Sequence, residues 1–399
     1  MKKVFALLMI SSILALGVTG CFPEGNNEPS VTSEDENLAG TAVTAGDPNS
    51  VYYKLFVLNE GQMGTNGAEL DFLRFSDGLF VNSAYRQMNN GKRLGDVAND
   101  IQIRGNVAWI VVNNSGIVEA INAIDETSIT TFPIPAPRNI AFYGNFAFVT
   151  SWATASSYPL QDDAGALYRI DLNNPDGSPQ KTEVGWQPEG VAVDNNFTVW
   201  VANSGGIHSM ATGQYDDRVM IIDPYSMQIT TTLNVAGNLK NLIYDQQHDL
   251  IWATAYGDYY SVHSGIYPIS ASRQAPLERS AEVAAVRFSC AALGSDWNLF
   301  VIGTDDEWNW TGPREYYLAK VSANGSVTKI PFSGTDASRI TTPYAIAVNP
   351  YTDDIYITDA GDYVNPGKVY CFDKNLQLNW MASTGVCPGH LALYAIYWN

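Results

Sequence analysis

The chain has 399 residues, with 41 acidic against 22 basic side chains and a formal net charge of −19 at pH 7. That balance argues against a nucleic-acid partner and against electrostatic adhesion to anionic headgroups; it suits solubility, or a cationic ligand. The length is ample for a substantial core.

Residues 1–20, MKKVFALLMISSILALGVTG, join Lys2 and Lys3 to an apolar run and then to small residues ahead of Cys21. This is the pattern of a lipoprotein signal peptide with Cys21 as the lipidation site. Residues 21–50 lack apolar periodicity and are rich in Asn, Glu, Ser, Gly and Pro, so a flexible linker is expected there. The folded domain is expected to occupy residues 51–399. No later stretch is apolar for long enough to span a bilayer as a helix. The chain thus reads as an exported lipoprotein of the outer membrane, at the cell surface and membrane-bound through its lipid alone.

From residue 51 onward a unit of short strands recurs. Its register is marked by an aromatic residue in the second strand: Phe56, Trp109, Phe148, Trp200, Trp252, Phe300 and Tyr356, spaced 39 to 56 residues apart. A period near fifty with several β-branched strands per repeat is the signature of propeller blades. Third strands such as ALYRIDL and RVMIIDP end near Asp171 and Asp223, where an Asx turn starts the outer hairpin. The first-strand column reads ANDIQI, PRNIAF, PEGVAV, LKNLIY, AVRFSC, PYAIAV and, at residues 388–393, PGHLAL. That last copy has no second strand after it, while the N-terminal copy begins at a second strand, KLFVLN. The sequence therefore predicts an all-β, seven-bladed propeller closed by pairing its N- and C-terminal strands, which removes exposed sheet edges. The unit around Val286 is the least regular.

Cys290 falls in a predicted inner strand and reads as an inert buried thiol. Cys371 and Cys387 both fall in the last blade, where an exported protein can join them as a disulfide. The cysteines show no metal-ligand spacing, and no Ser-His-Asp order, nucleophile elbow, phosphate loop or HExxH motif is present.

The connections from second to third strand are long and aromatic, whereas the turns expected on the opposite face, such as DNN and DQQHD, are short and polar. Trp152, Tyr158, Tyr215, Tyr259, Tyr260, Trp308, Trp310 and Tyr363 should surround a central depression, a ring density that marks a binding surface or packs the loops together. Asn59 and Glu60 open the first of these loops. At the start of the inner strands Asp100, Arg138, Asn139, Glu189, Lys240, Asn241, Arg287, Tyr344 and His390 should ring the channel mouth. Both signs are present there, so pairing across the channel competes with ligand contact. His208 and His263 lie in loops of adjacent blades, as solvated side chains or as ligands.

The pattern P-x-G-V-A-V-D…V-W-V-A-N-S-G resembles the YncE-like and YVTN-type β-propellers. VLNEGQMGTNGAELDF (57–72) with the terminal GVCPGHLALY (385–394) is similar to lipid-anchored propellers that include the BtuG surface cobalamin-binding proteins. The resemblance implies a non-catalytic protein that holds a corrinoid, cobalamin or cobinamide, on its loop-rich face and passes it to an outer-membrane transporter. The corrinoid would be a ligand, not a cofactor, and no metal site of the protein's own is expected. Two other readings stand beside it. A protein-binding or adhesive scaffold is one. The other is a metal-dependent, lactonase-like enzyme with Glu60, Asn139, Glu189 and Asn241 as oxygen donors, a set crowded by Arg138, Lys240 and Arg287.

Overall fold

The computed structural model describes residues 38–153, 164–309 and 312–396. Of the expectations above, the signal peptide, Cys21, Tyr158 and Trp310 lie outside them.

Seven antiparallel sheets are arranged as the blades of one ring. Blade 4 is representative, with strands Pro188–Val193, Val199–Asn203, Arg218–Ile222 and Ile229–Asn234 in that order from the axis outward. Its inner strands alternate apolar residues around an Asp194–Thr198 turn, in which the Asp194 carboxylate accepts the amides of Asn196 and Thr198. The third strand ends at the expected Asx turn, Asp223 accepting the amides of Tyr225 and Ser226.

The seven register aromatics mark seven separate cores. Each hydrophobic cluster lies between neighbouring blades: Phe56 in the one joining blades 1 and 2, Trp109 in blades 2 and 3, Phe148 in blades 3 and 4, Trp200 in blades 4 and 5. Trp252 serves blades 5 and 6, Phe300 packs against the cluster of blades 6 and 7, and Tyr356 belongs to that of blades 7 and 1. One large ring per seam explains the register, because a blade face is a stack surface and loses about 3–5 kcal/mol when such a ring is truncated.

Ring closure is as the sequence predicts. Lys54–Asn59 pairs antiparallel with Pro388–Tyr394, in register from Lys54 opposite Tyr394 to Asn59 opposite Pro388. Lys54 is wholly buried at this seam, its Nζ 2.6 Å from Glu126 of blade 2 and 4.1 Å from the centre of the Phe72 ring.

Four expectations are corrected. The folded unit starts before residue 51: Thr41–Ala42 adds a fifth, outermost strand to blade 1 against Leu79–Phe80, and Leu38 is buried in its core. Such a covered edge is what a protein does with an exposed sheet rim. The inner strand of blade 6 is Cys290–Leu293 rather than the segment from Ala285, because the Arg287 and Phe288 amides donate to the Tyr317 and Ser264 hydroxyls instead of to the second strand. Cys371 and Cys387 are not joined. Both are free and buried, Cys371 in the seam of blades 7 and 1 and Cys387 just ahead of the closing strand. Finally, the turn face is not uniformly polar: Phe197, Tyr225 and Tyr351 are exposed there, and Tyr143 stacks on Phe197 at 4.6 Å while its hydroxyl meets that of Tyr225 at 3.1 Å.

Candidate functional site

Six of the seven inner strands start with the same irregularity. Their register against the second strand slips at 98–100, 137–140, 188–191, 239–242, 343–346 and 388–390. A bulge sets residues outside the ladder and re-aims their side chains. The residues so released include Arg138, Asn139, Glu189, Lys240, Asn241 and Tyr344. In five blades the preceding residue is left-handed although it is not glycine: Val97, Ala136, Gln187, Asn238 and Cys387. Each such conformation costs about 1–2 kcal/mol, and strain of this kind gathers at functional sites.

At the mouth of blades 3 to 5 the Glu189 carboxylate is clamped by two cations. The Arg138 guanidinium donates to both of its oxygens at 3.0–3.2 Å, and Lys240 Nζ donates at 2.9 Å. Burial alone would raise this carboxyl, but Arg138 and Lys240 outweigh it and hold it below the usual range. Arg138 also donates to Asn99 and lies 4.2 Å above the Trp152 ring. The charges at the mouth thus pair between neighbouring inner strands.

Elsewhere round the mouth, Glu60 accepts from the Tyr344 hydroxyl at 2.8 Å and lies 3.7 Å from His390. Glu307 accepts from Arg287 at 3.1 Å, from His263 Nδ1 at 2.8 Å and from the Ser264 amide. The two loop histidines are ring-stacked rather than freely solvated, His263 on Trp308 at 4.1 Å and His208 on Trp186 at 3.9 Å, both nearly parallel.

Two loops share the motif Gly-Asp-Tyr: Gly257-Asp258-Tyr259 and Gly361-Asp362-Tyr363. In each, the aspartate gathers backbone amides of the residues after the tyrosine, and the tyrosine is left-handed. Asp258 loses some stabilisation to burial, but its hydrogen bonds from Ser261, Val262 and Tyr260 bring its carboxyl down to about 2. The knots present Tyr259 beside Tyr256, and Tyr363 edge-on to Tyr344 at 5.6 Å. Burial pushes the Tyr256, Tyr259 and Tyr344 hydroxyls above the usual phenol range and Tyr363 up to about 12. At neutral pH all four are protonated donors.

Of the residues expected from sequence, Arg138, Trp152 and Glu189 converge in one cluster, Tyr344, Tyr363 and Glu60 in another, and His263 and Trp308 in a third. Tyr215 is half-buried with its hydroxyl raised by burial, and Tyr260 is 50% exposed. Asn59 does not belong to the surface: it is wholly buried, donating to Asp71 at 2.8 Å and to the Glu69 carbonyl. Sequence reading passed over Trp186, Tyr256 and Glu307. It also passed over three second-strand threonines. Thr150 and Thr254 accept the Asn139 and Asn241 amides, and Thr150 and Thr358 donate across to the Glu189 and Pro388 carbonyls of the next blade. Their shared place near the end of FAFVTS, LIWATA and IYITD was the available signal.

Polar groups on this face are left unmatched. The indole N–H of Trp152, the Gln187 amide nitrogen and the indole N–H of Trp308 are buried without an acceptor among the described residues. Those residues bring no three His, Cys, Asp or Glu side chains together for a metal ion.

This architecture defines a seven-bladed β-propeller with a polar, aromatic-rimmed mouth. The chain belongs to the family described as a domain of unknown function, DUF5074, whose match spans residues 53–375 and so stops short of the closing strand. No curated protein matches the chain. Solved structures with the same fold include hydrazine synthase of Kuenenia stuttgartiensis, at 14% identity and a TM-score of 0.53 over 71% of this chain and 85% of that one. A quinonprotein alcohol dehydrogenase-like protein of Bacteroides thetaiotaomicron is 12% identical with a TM-score of 0.54, over 86% and 79% respectively. A chain of the mitotic checkpoint complex is 12% identical at 0.50, over 87% and 96%. At these identities the likeness is one of fold.

Proposed function

We propose that this propeller captures a ligand on its loop-rich face without transforming it, and that the ligand is a corrinoid such as cobalamin or cobinamide. The observation that carries the reading is a set of three buried N–H groups on this face, those of Trp152, Gln187 and Trp308, without acceptors among the described residues. A buried donor left unmatched costs about 1–3 kcal/mol, so a site built this way gains most from a ligand that brings carbonyl oxygens. A corrinoid is a broad disc fringed with amides, and Trp152, Trp186 and Trp308 supply apolar surface for it. The carboxylates Glu60, Glu189 and Glu307 are each engaged by a cation or a phenol, which favours holding a ligand over acid–base work on it. Anchoring through Cys21 at the outer-membrane surface and hand-over to a transporter belong to the same proposal.

Titration of the purified protein with cobalamin and cobinamide, followed by the visible corrin spectrum and by calorimetry, tests it. Saturable one-to-one binding that weakens about tenfold in Trp308→Ala supports the reading. Absence of heat and of spectral change at high micromolar protein removes the corrinoid. A second reading, a protein-binding scaffold, draws on the cluster of exposed Phe197 and Tyr225 with half-buried Tyr143. It predicts a specific envelope partner whose retention is lost in Phe197→Ala.

A further inference from the structure

The seam between blades 7 and 1 opens at its turn-face end into a cleft of about 410 Å³, within the size range of small-molecule sites. One wall is blade 7, with Tyr356, Asp354 and Trp380; the other is blade 1, with Phe75 and the segment carrying Asp47. That segment is fixed in place. The Asp47 amide donates to the Phe75 carbonyl at 2.7 Å, Val43 to Gly78 at 3.0 Å, and Ser50 to the Asp47 carbonyl at 3.0 Å. The cleft is therefore preformed, and it exists only because residues 43–50 dock on the blade instead of trailing as a linker.

Its chemistry is one-sided. Three aromatic rings converge there at mutual angles, Tyr356 lying 6.4 Å from Phe75 at 55° and 6.0 Å from Trp380 at 39°. Two of the lining residues are acidic and none is basic. Asp354 is half-buried and, among the described residues, accepts hydrogen bonds from neutral partners only, Thr352 at 2.7 Å and Asn379 at 3.0 Å. We propose that this cleft binds a small organic ammonium ion, its charge set against Asp354 and its carbon substituents against the Phe75, Tyr356 and Trp380 rings. Inclined aromatic panels with a carboxylate are the arrangement that recognises alkylated ammonium, through the negative ring faces and a desolvated counter-charge. Burial, with the nearby charge of Asp373, raises the Asp354 carboxyl, so an arriving cation relieves an unfavourable charge. A bulky sugar has no such preference. This site is independent of the loop-face reading, lying at the opposite end of the molecule's axis.

The test is calorimetric titration of the purified protein with tetramethylammonium chloride, against sodium chloride at matched ionic strength and against glucose. The expected result is saturable binding of tetramethylammonium alone, weakened about tenfold or more in Asp354→Asn and falling as the pH drops through the range in which Asp354 takes up a proton. Asp47→Asn, at the exposed rim, should weaken it less and supplies a second variant if Asp354→Asn melts early. No saturable heat in the wild-type protein, glucose binding in preference to tetramethylammonium, or equal affinity in both variants would overturn the proposal.

Discussion

Two carboxylates at the channel mouth, Glu189 and Glu60, occupy comparable settings and are treated differently. Glu189 is buried under two full cations, whereas Glu60 leans on a phenol at 2.8 Å with an imidazole 3.7 Å away. The first cluster fixes three blades to each other. The second, at the ring-closing seam, is held by groups that neutral water could replace. The contrast teaches that ionic cross-links tie the mouth together on the side of blades 3 to 5, and a neutral phenol does so where the two chain ends meet.

The largest effect that would sharpen this contrast is Glu189→Ala. It strands Arg138 and Lys240 against one another in a buried setting and should cost about 3–5 kcal/mol in denaturant unfolding, while Glu60→Ala should cost about 1 kcal/mol. Equal losses would break the comparison.

Acid should tell the same story with a smaller amplitude. The Glu189 carboxyl is depressed in the folded protein, so its contribution is complete above the usual glutamate range and is lost as pH falls below it. Wild-type stability should drop steeply below about pH 4, and the Glu189→Gln variant should show a flatter profile, as judged by melting temperature against pH.

Smallest is Tyr344→Phe, which removes one hydrogen bond to Glu60 at a cost of about 1 kcal/mol. The backbone should be undisturbed, but amide exchange along Pro388–Tyr394 should quicken, whereas Thr150→Val should leave that segment unchanged.

The fold was legible because each blade seam needs one large ring, and those seven rings recur in the sequence at a readable period. Ring closure was legible for the same reason, since a first strand without a second can be completed only by a second strand without a first. The mouth was half legible. Sequence places Arg138, Glu189 and Tyr344 at strand starts, but the bulges and left-handed residues that re-aim them leave no composition signal; Val97 and Ala136 are not residue types that announce positive φ. Asn59 was misplaced because a polar residue at a strand end reads as exposed, yet Asp71 at 2.8 Å gives it a buried partner. The start of the domain was misjudged because two residues, Thr41 and Ala42, are too few to show alternation.

That short outer strand has a mechanical consequence. Thr41–Ala42 runs antiparallel to Leu79–Phe80 with only two residue pairs, while the closing seam has six. Tension applied to the chain ahead of Leu38 reaches the outermost strand of blade 1 first. It must peel those two pairs, and then the Val43–Gly78 and Asp47–Phe75 hydrogen bonds, before any load arrives at the interlocked ends. Under such a pull the outer strand is a sacrificial link, and the propeller stays shut while it gives way.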